Sequence, residues 1–154
     1  MRAALSFLTR IPVGEIKSDD YFRDLGRQAP LFPVIGGVVG VLTLAADALA
    51  GYAGFGPGVR SVAAIAAGLW ITGALHLDGL MDTADGVGSH RSRERMLEIM
   101  KDSRVGAMGV VAGVLAILAR YALLSSTGDR FLPLLLAPVL GRMAIATAAG
   151  LFPP

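Results

Sequence analysis

Three aspartates, Asp78, Asp82 and Asp85, are spaced by four and then three residues in the stretch HLDGLMDTADGVGSH that begins at His76. On a helix that spacing sets all three carboxylates along one face. Like charges repel there, and no basic residue between Arg60 and Arg91 offsets them, so a bound divalent cation is the simplest compensation. The chain has no cysteine, and an all-oxygen donor set favours magnesium, manganese or calcium. Gly79, Gly86 and Gly88 permit close backbone approach by a ligand, and Thr83 adds a hydroxyl. The competing reading is a solvated acidic helix end whose carboxylates merely oppose the macrodipole. His76 reads either as a ligand or proton shuttle, or as a structural hydrogen-bonder.

A second polar group follows. Residues 92–101 have the pattern of a short amphipathic helix with Ser92 as N-cap and Met96, Leu97, Ile99 and Met100 on its apolar side. Arg91, Arg93 and Arg95 suit phosphate or anionic headgroups, or plain solvation. Asp102 and Arg104, two residues apart, stand across a hairpin from the acidic face, where they could complete a metal–phosphate site. Farther on, Arg142 falls inside an apolar run, where a cation must face the interior and a partner; a phosphate group and Asp47 are the candidates. Arg120 lies toward the end of its own run and is expected to snorkel. Carboxylates and arginines at a membrane boundary suit phosphoryl transfer: a cation neutralises a diphosphate, and an acid accepts the attacking hydroxyl's proton.

The elements that must position these groups are apolar. Of 154 residues, 54% are hydrophobic and only 17% charged, and mean hydropathy is +0.62. The missing cysteines exclude disulfides, thiolate zinc and a cysteine nucleophile. A net charge of +2 gives no electrostatic footprint for nucleic acid. From Leu31 to Val59 the only charge is Asp47; from Ser61 to Leu77 there is none. From Val105 to Gly128 the only charge is Arg120, and from Phe131 to Pro154 only Arg142. These blocks predict an all-α, polytopic integral membrane protein with about four transmembrane helices, near 31–51, 59–78, 105–125 and 131–152. Soluble buried helices are disfavoured because the runs lack a polar face. Gly36, Gly37 and Gly40, and the small residues from Ala63 to Gly68, suit close helix packing in a bilayer.

The chain reads as one membrane domain: 1–28 a cytoplasmic or interfacial segment, 31–77 spans one and two, 78–104 a cytoplasmic catalytic loop, 105–152 spans three and four. Basic residues concentrate in 1–28 and 78–104, so the positive-inside rule places both segments and both chain ends in the cytoplasm. Residues 1–14 predict an interfacial amphipathic helix ended by Pro12 and Gly14, and not a cleaved signal.

The stretches FLTRIPV at 7–13, LFPVIGGVVG at 31–40, GALHLDGLMDTADGVGS at 73–89 and RERMLEIMKDSRVGAMG at 93–109, with a fainter GRMA at 141–144, resemble the cobalamin synthase (adenosylcobinamide-GDP ribazoletransferase) family. The resemblance implies transfer of the cobinamide phosphate of adenosylcobinamide-GDP to alpha-ribazole or its 5'-phosphate, releasing GMP, in a prokaryotic inner membrane. It implies magnesium (Mg2+) held by Asp78, Asp82 and Asp85. Asp82, Asp85 and Asp102 would be catalytic, and His76, Arg104 and Arg142 would bind substrate. The lipid bilayer is the other partner, and a homo-oligomer is compatible with the pattern. Family members continue past the GRMA-like element, whereas this chain ends at Leu151-Phe152-Pro153-Pro154, which reads as an N-terminal portion. CDP-alcohol phosphotransferases are a looser analogy, because their fuller D-G-x-x-A-R pattern is absent after Asp78-Gly79. Trp70, Phe32 and Tyr21 are aromatic candidates for a corrin contact or for packing. A cation-coupled transporter and a non-catalytic scaffold are further alternatives; no internal repeat supports a transporter.

Overall fold

A computed structural model describes residues 1–14 and 21–151; Lys17 and the last three residues of the expected C-terminal stretch lie outside them. Eight α-helices occur among the described residues, and no strand does: α1 (Arg2–Leu8), α2 (Tyr21–Gln28), α3 (Phe32–Tyr52), α4 (Pro57–Thr72), α5 (Leu75–Gly88), α6 (Arg93–Ile99), α7 (Ala107–Ser126) and α8 (Phe131–Leu151). A 3-10 turn at Ala29–Leu31 joins α2 to α3, so Leu25–Tyr52 runs as one 28-residue apolar helix. That helix, α7 and α8 are each long and apolar enough to cross a bilayer.

The second expected span is different. Instead of one helix over 59–78, α4 has 16 residues, about 24 Å at 1.5 Å per residue, and α5 leaves it at 86°. The turn is a Schellman closure: the amide of Gly73 donates to the Trp70 carbonyl and that of Ala74 to the Leu69 carbonyl. Gly73 and Ala74 both adopt left-handed backbone, at φ +61° and +60°. For Ala74 this costs roughly 1–2 kcal/mol. The N-terminal segment holds the turn. The Arg10 amide donates to the Ile71 carbonyl at 2.7 Å, and its guanidinium lies 5.9 Å over the Trp70 ring. This task also explains why α1 ends at Leu8 and not at Pro12: Thr9 turns extended so that the chain can reach α4. Rather than lying free at an interface, α1 buries Ala4 and Leu8 against Phe32 and Ile35, with Ile145 and Ala146 of α8 packed on the same cluster. Phe32 is therefore core, stacked with Phe7 at 6.3 Å.

Two devices hold the bundle. Along α3, Gly36 and Gly40 lie against α8 so closely that a Cβ at Gly36 would sit 2.5 Å from the Pro138 carbonyl oxygen, and one at Gly40 2.7 Å from that of Leu135. This is the small-residue packing the sequence predicts. Pro138 lacks an N–H, which frees the Leu134 carbonyl, and the buried Thr43 hydroxyl of α3 donates to it at 3.4 Å as well as to Gly40 at 2.8 Å. At the far end of the bundle, buried Asp47 of α3 accepts from Arg60 of α4 and, at 2.8 and 2.6 Å, from Arg130 at the start of α8. Arg130 also donates to the Ser61 hydroxyl at 3.2 Å and to the Leu124 carbonyl, so one carboxylate ties α3, α4, α7 and α8.

Asp47 is thus the partner of Arg60 and Arg130, not of Arg142. Replacing Asp47 with Asn leaves the Arg130 guanidinium buried without its counter-charge. We expect a loss of about 3 kcal/mol, read as a lower unfolding midpoint of the detergent-solubilised chain.

Candidate active site at the α5–α7 junction

Past the turn, α5 carries Asp78, Asp82 and Asp85 on one helix, as the spacing requires. Asp78 is exposed, and Asp82 and Asp85 are half-buried. The carboxylate of Asp85 reaches the start of α7, where its two oxygens accept from the amides of Gly106 and Gly109, both at 2.7 Å. Gly106 is the N-cap of α7 and Gly109 lies in its first turn, so Asp85 caps from outside a helix with no capping side chain of its own. A Cβ at Gly109 would stand 2.3 Å from Asp85 Oδ2 and 2.9 Å from the Met81 carbonyl oxygen. Gly113, one turn on, gives room to Met81. Composition alone left the acidic face uncompensated; in the fold the positive end of α7 takes up one of its three charges. The spacing of Gly106, Gly109 and Gly113 was the available signal.

Among the described residues, no three His, Asp or Glu side chains gather closely enough to hold a metal by themselves. Asp78 and Asp82 remain on α5, one turn apart, with no side-chain hydrogen bond directed at either among the described residues.

Asp102 and Arg104 form a local unit in the segment between α6 and α7. Asp102 accepts from the Arg104 amide at 3.0 Å and from its guanidinium at 2.8 to 3.3 Å. The hydrogen bonds from the Arg104 side chain hold the Asp102 carboxyl down at about 2. Both side chains are exposed, and Gly106 follows two residues later, so this pair sits beside the Asp85 contact. Helix α6 starts at Ser92 as expected, its hydroxyl accepting from the Arg95 amide at 3.5 Å, and Arg95 pairs with Glu98 on an exposed face.

The remaining predicted residues lie deeper. His76, at the start of α5, and Arg142, in the middle of α8, line one cavity of about 210 Å³ together with Thr43, Thr72 and Arg120. Arg142 is 8% exposed, as its place in an apolar run demands. Arg120 does not snorkel away from the bundle but opens into this cavity. Tyr21 is half-buried on α2, and Trp70 is largely exposed beneath Arg10.

Helices long and apolar enough to cross a bilayer, with one bent pair whose second half bears the carboxylates, define a multi-pass helical membrane protein with an acidic and arginine-bearing site at one end. Its sequence matches the cobalamin-5-phosphate synthase family over residues 1–154, and the chain belongs to that family. It is 47% identical over 149 residues to the adenosylcobinamide-GDP ribazoletransferase of Acetivibrio thermocellus, covering 95% of this chain and 59% of that protein. It is 40% identical over 155 residues to the protein of that name from Brevibacillus brevis, covering 97% and 61%. For the one from Geotalea daltonii the figures are 43% over 142 residues, covering 92% and 57%. The chain thus spans about 60% of the length of these curated relatives. No solved structure matches it.

Two outcomes follow from the geometry. Asp85→Ala removes a charged acceptor from two backbone amides and should cost about 2–4 kcal/mol. Hydrogen exchange should then accelerate at the first amides of α7 while that of α3 stays slow. The folded Asp102 carboxyl lies below its ordinary value of 3.8, so the pair's stabilisation is complete above that pH and fades as pH falls through about 2. Arg104→Met should move the Asp102 midpoint up toward 3.8 in a carboxyl-carbon NMR titration.

Proposed function

We propose that the chain carries the catalytic part of an adenosylcobinamide-GDP ribazoletransferase of a prokaryotic inner membrane, with the α5–α7 end of the bundle in the cytoplasm. The reaction moves the cobinamide phosphate from its GDP ester to alpha-ribazole or alpha-ribazole 5'-phosphate and releases GMP. The family match over the whole chain carries this reading, supported by the contact of Asp85 with Gly106 and Gly109, which joins its two most specific motifs.

Magnesium fits the donors present. The ion is commonly held by one or two carboxylates, with water and substrate phosphates completing the shell, and not by an all-protein cage. Asp78 and Asp82, hard oxygen donors one helical turn apart, match that demand without a third protein ligand. When bound, the ion would neutralise the diphosphate and stabilise the leaving phosphate.

The residues divide the remaining work. A new bond forms between the acceptor hydroxyl oxygen and the cobinamide-bearing phosphorus, the bond from that phosphorus to the GMP oxygen breaks, and the hydroxyl proton passes to a carboxylate. Asp102, held down at about 2 by Arg104, is a poor proton acceptor and instead orients the Arg104 guanidinium toward phosphate. Asp85 has both oxygens engaged by α7 and acts as a positioning residue. Asp82, half-buried and without such bonds, is the group left to accept the proton, through an oxygen that the ion would leave free. His76 and Arg142, in the cavity behind α5, contact substrate from the bundle side.

The test is magnesium-dependent GMP release from adenosylcobinamide-GDP and alpha-ribazole in membranes containing this chain, with the Acetivibrio thermocellus relative as positive control. Asp82→Asn should lower the rate at least 100-fold. Undiminished turnover in that variant, or none in the parent while the relative is active, overturns the assignment.

A further inference from the structure

We propose that the cavity between α5 and the bundle, lined by Thr43, Thr72, His76, Arg120 and Arg142, binds a phosphate group whose ester substituent lies outside it. Its lining holds two guanidinium groups, one imidazole and no carboxylate; the Thr43 and Thr72 hydroxyls on it already donate to backbone carbonyls. The Nε of Arg142 and both ring nitrogens of His76 are buried without a hydrogen-bond partner. The bundle shows how it treats cations elsewhere: at its far end Asp47 answers both Arg60 and Arg130. Among the described residues no acid answers Arg142, which is 8% exposed in the middle of a bilayer-length helix. Burying a cation without an opposite charge is costly, so the lining is shaped for an anion that comes from outside the chain.

Phosphate suits it better than a carboxylate. It offers three or four acceptor oxygens where a carboxylate has two, and the uncommitted donors, on His76, Arg120 and Arg142, come from three helices, so an acceptor that spreads in three dimensions meets more of them. A guanidinium also matches two phosphate oxygens at once. Size limits what else can enter. At about 210 Å³ the cavity is smaller than the roughly 300–1,000 Å³ sites that take drug-sized ligands. A phosphoryl head with a few attached atoms fits; a nucleoside or a macrocycle does not. The cavity takes the phosphate end of a larger ester, supplied by a soluble nucleotide or by a phospholipid headgroup. This deepens the proposed transfer reaction and rests on it only for which ester arrives; binding itself needs no turnover.

Thermal unfolding of the delipidated chain in detergent tests the site, with chloride at matched ionic strength as reference. Inorganic phosphate or GMP, at about ten times the dissociation constant, should raise the midpoint by roughly 3–6 °C. If only phosphatidylglycerol in mixed micelles does so, the source is a lipid headgroup and the site stands. Arg142→Met and Arg120→Met should abolish the shift, whereas Arg93→Met, on the exposed face of α6, should keep it. Arg142→Met should also unfold no earlier than the parent in phosphate-free buffer, because it removes an unanswered charge. The site is refuted if no phosphate species shifts the parent, if the variants shift as the parent does, or if Arg142→Met is less stable without phosphate. GMP release that persists while these tests fail would refute the cavity alone; binding without GMP release would refute the reaction and leave the cavity.

Discussion

The left-handed pair Gly73–Ala74 is the constraint on which the site depends. A continuous helix through this point would carry His76 and the three aspartates on along the axis of α4. Instead the Schellman closure ends α4, and α5 departs at 86° and packs along the first half of α7, from Gly106 to Gly113. An alanine in left-handed backbone is unfavourable, so the turn must be held from outside. The extended segment after Thr9 does this, since its Arg10 amide satisfies the Ile71 carbonyl and its side chain covers Trp70. Asp85 then closes the other side by capping α7, and the two polar motifs become neighbours.

Charge is distributed unevenly through this frame. At the far end of the bundle one buried carboxylate satisfies two arginines and draws four helices together. At the α5 end the signs are separated: aspartates on the outer helix, arginines and a histidine in the cavity behind it. Separated opposite charges, each group incompletely matched within the protein, favour a ligand that is itself split, with a metal ion beside one part and phosphate oxygens toward the other. A structure that only had to be stable would have paired them, as Asp47 does.

Much of this was legible beforehand because it depends on local pattern. The apolar runs announce membrane-length helices, and Gly36 and Gly40 announce the α3–α8 contact. Asp78, Asp82 and Asp85 share a helix because their spacing matches its period. Three points depend on packing that local pattern does not carry. The run ending near residue 78 reads as one straight helix, since hydropathy is blind to the two left-handed residues Gly73 and Ala74 near its end. Asp47 was offered to Arg142 because both are isolated charges in apolar runs; which arginine it meets depends on which helix ends coincide, and antiparallel packing brings Arg60 and Arg130 to it. Arg120 looked free to snorkel because sequence position does not reveal which side of α7 faces a cavity.

The amino-acid sequence by itself determined the class of the molecule: bilayer-length apolar helices, an acidic helix face and the family signature. These follow from composition and from spacings shorter than one or two helical turns. Only the tertiary structure decided where the charges are answered. Asp85 meets amides more than 20 residues away, Asp47 meets Arg130 83 residues away, and Arg142 meets no acid among the described residues. Electrostatic interactions fall off with distance through space, not along the chain, so the partner of a buried charge exists only once the helices have packed.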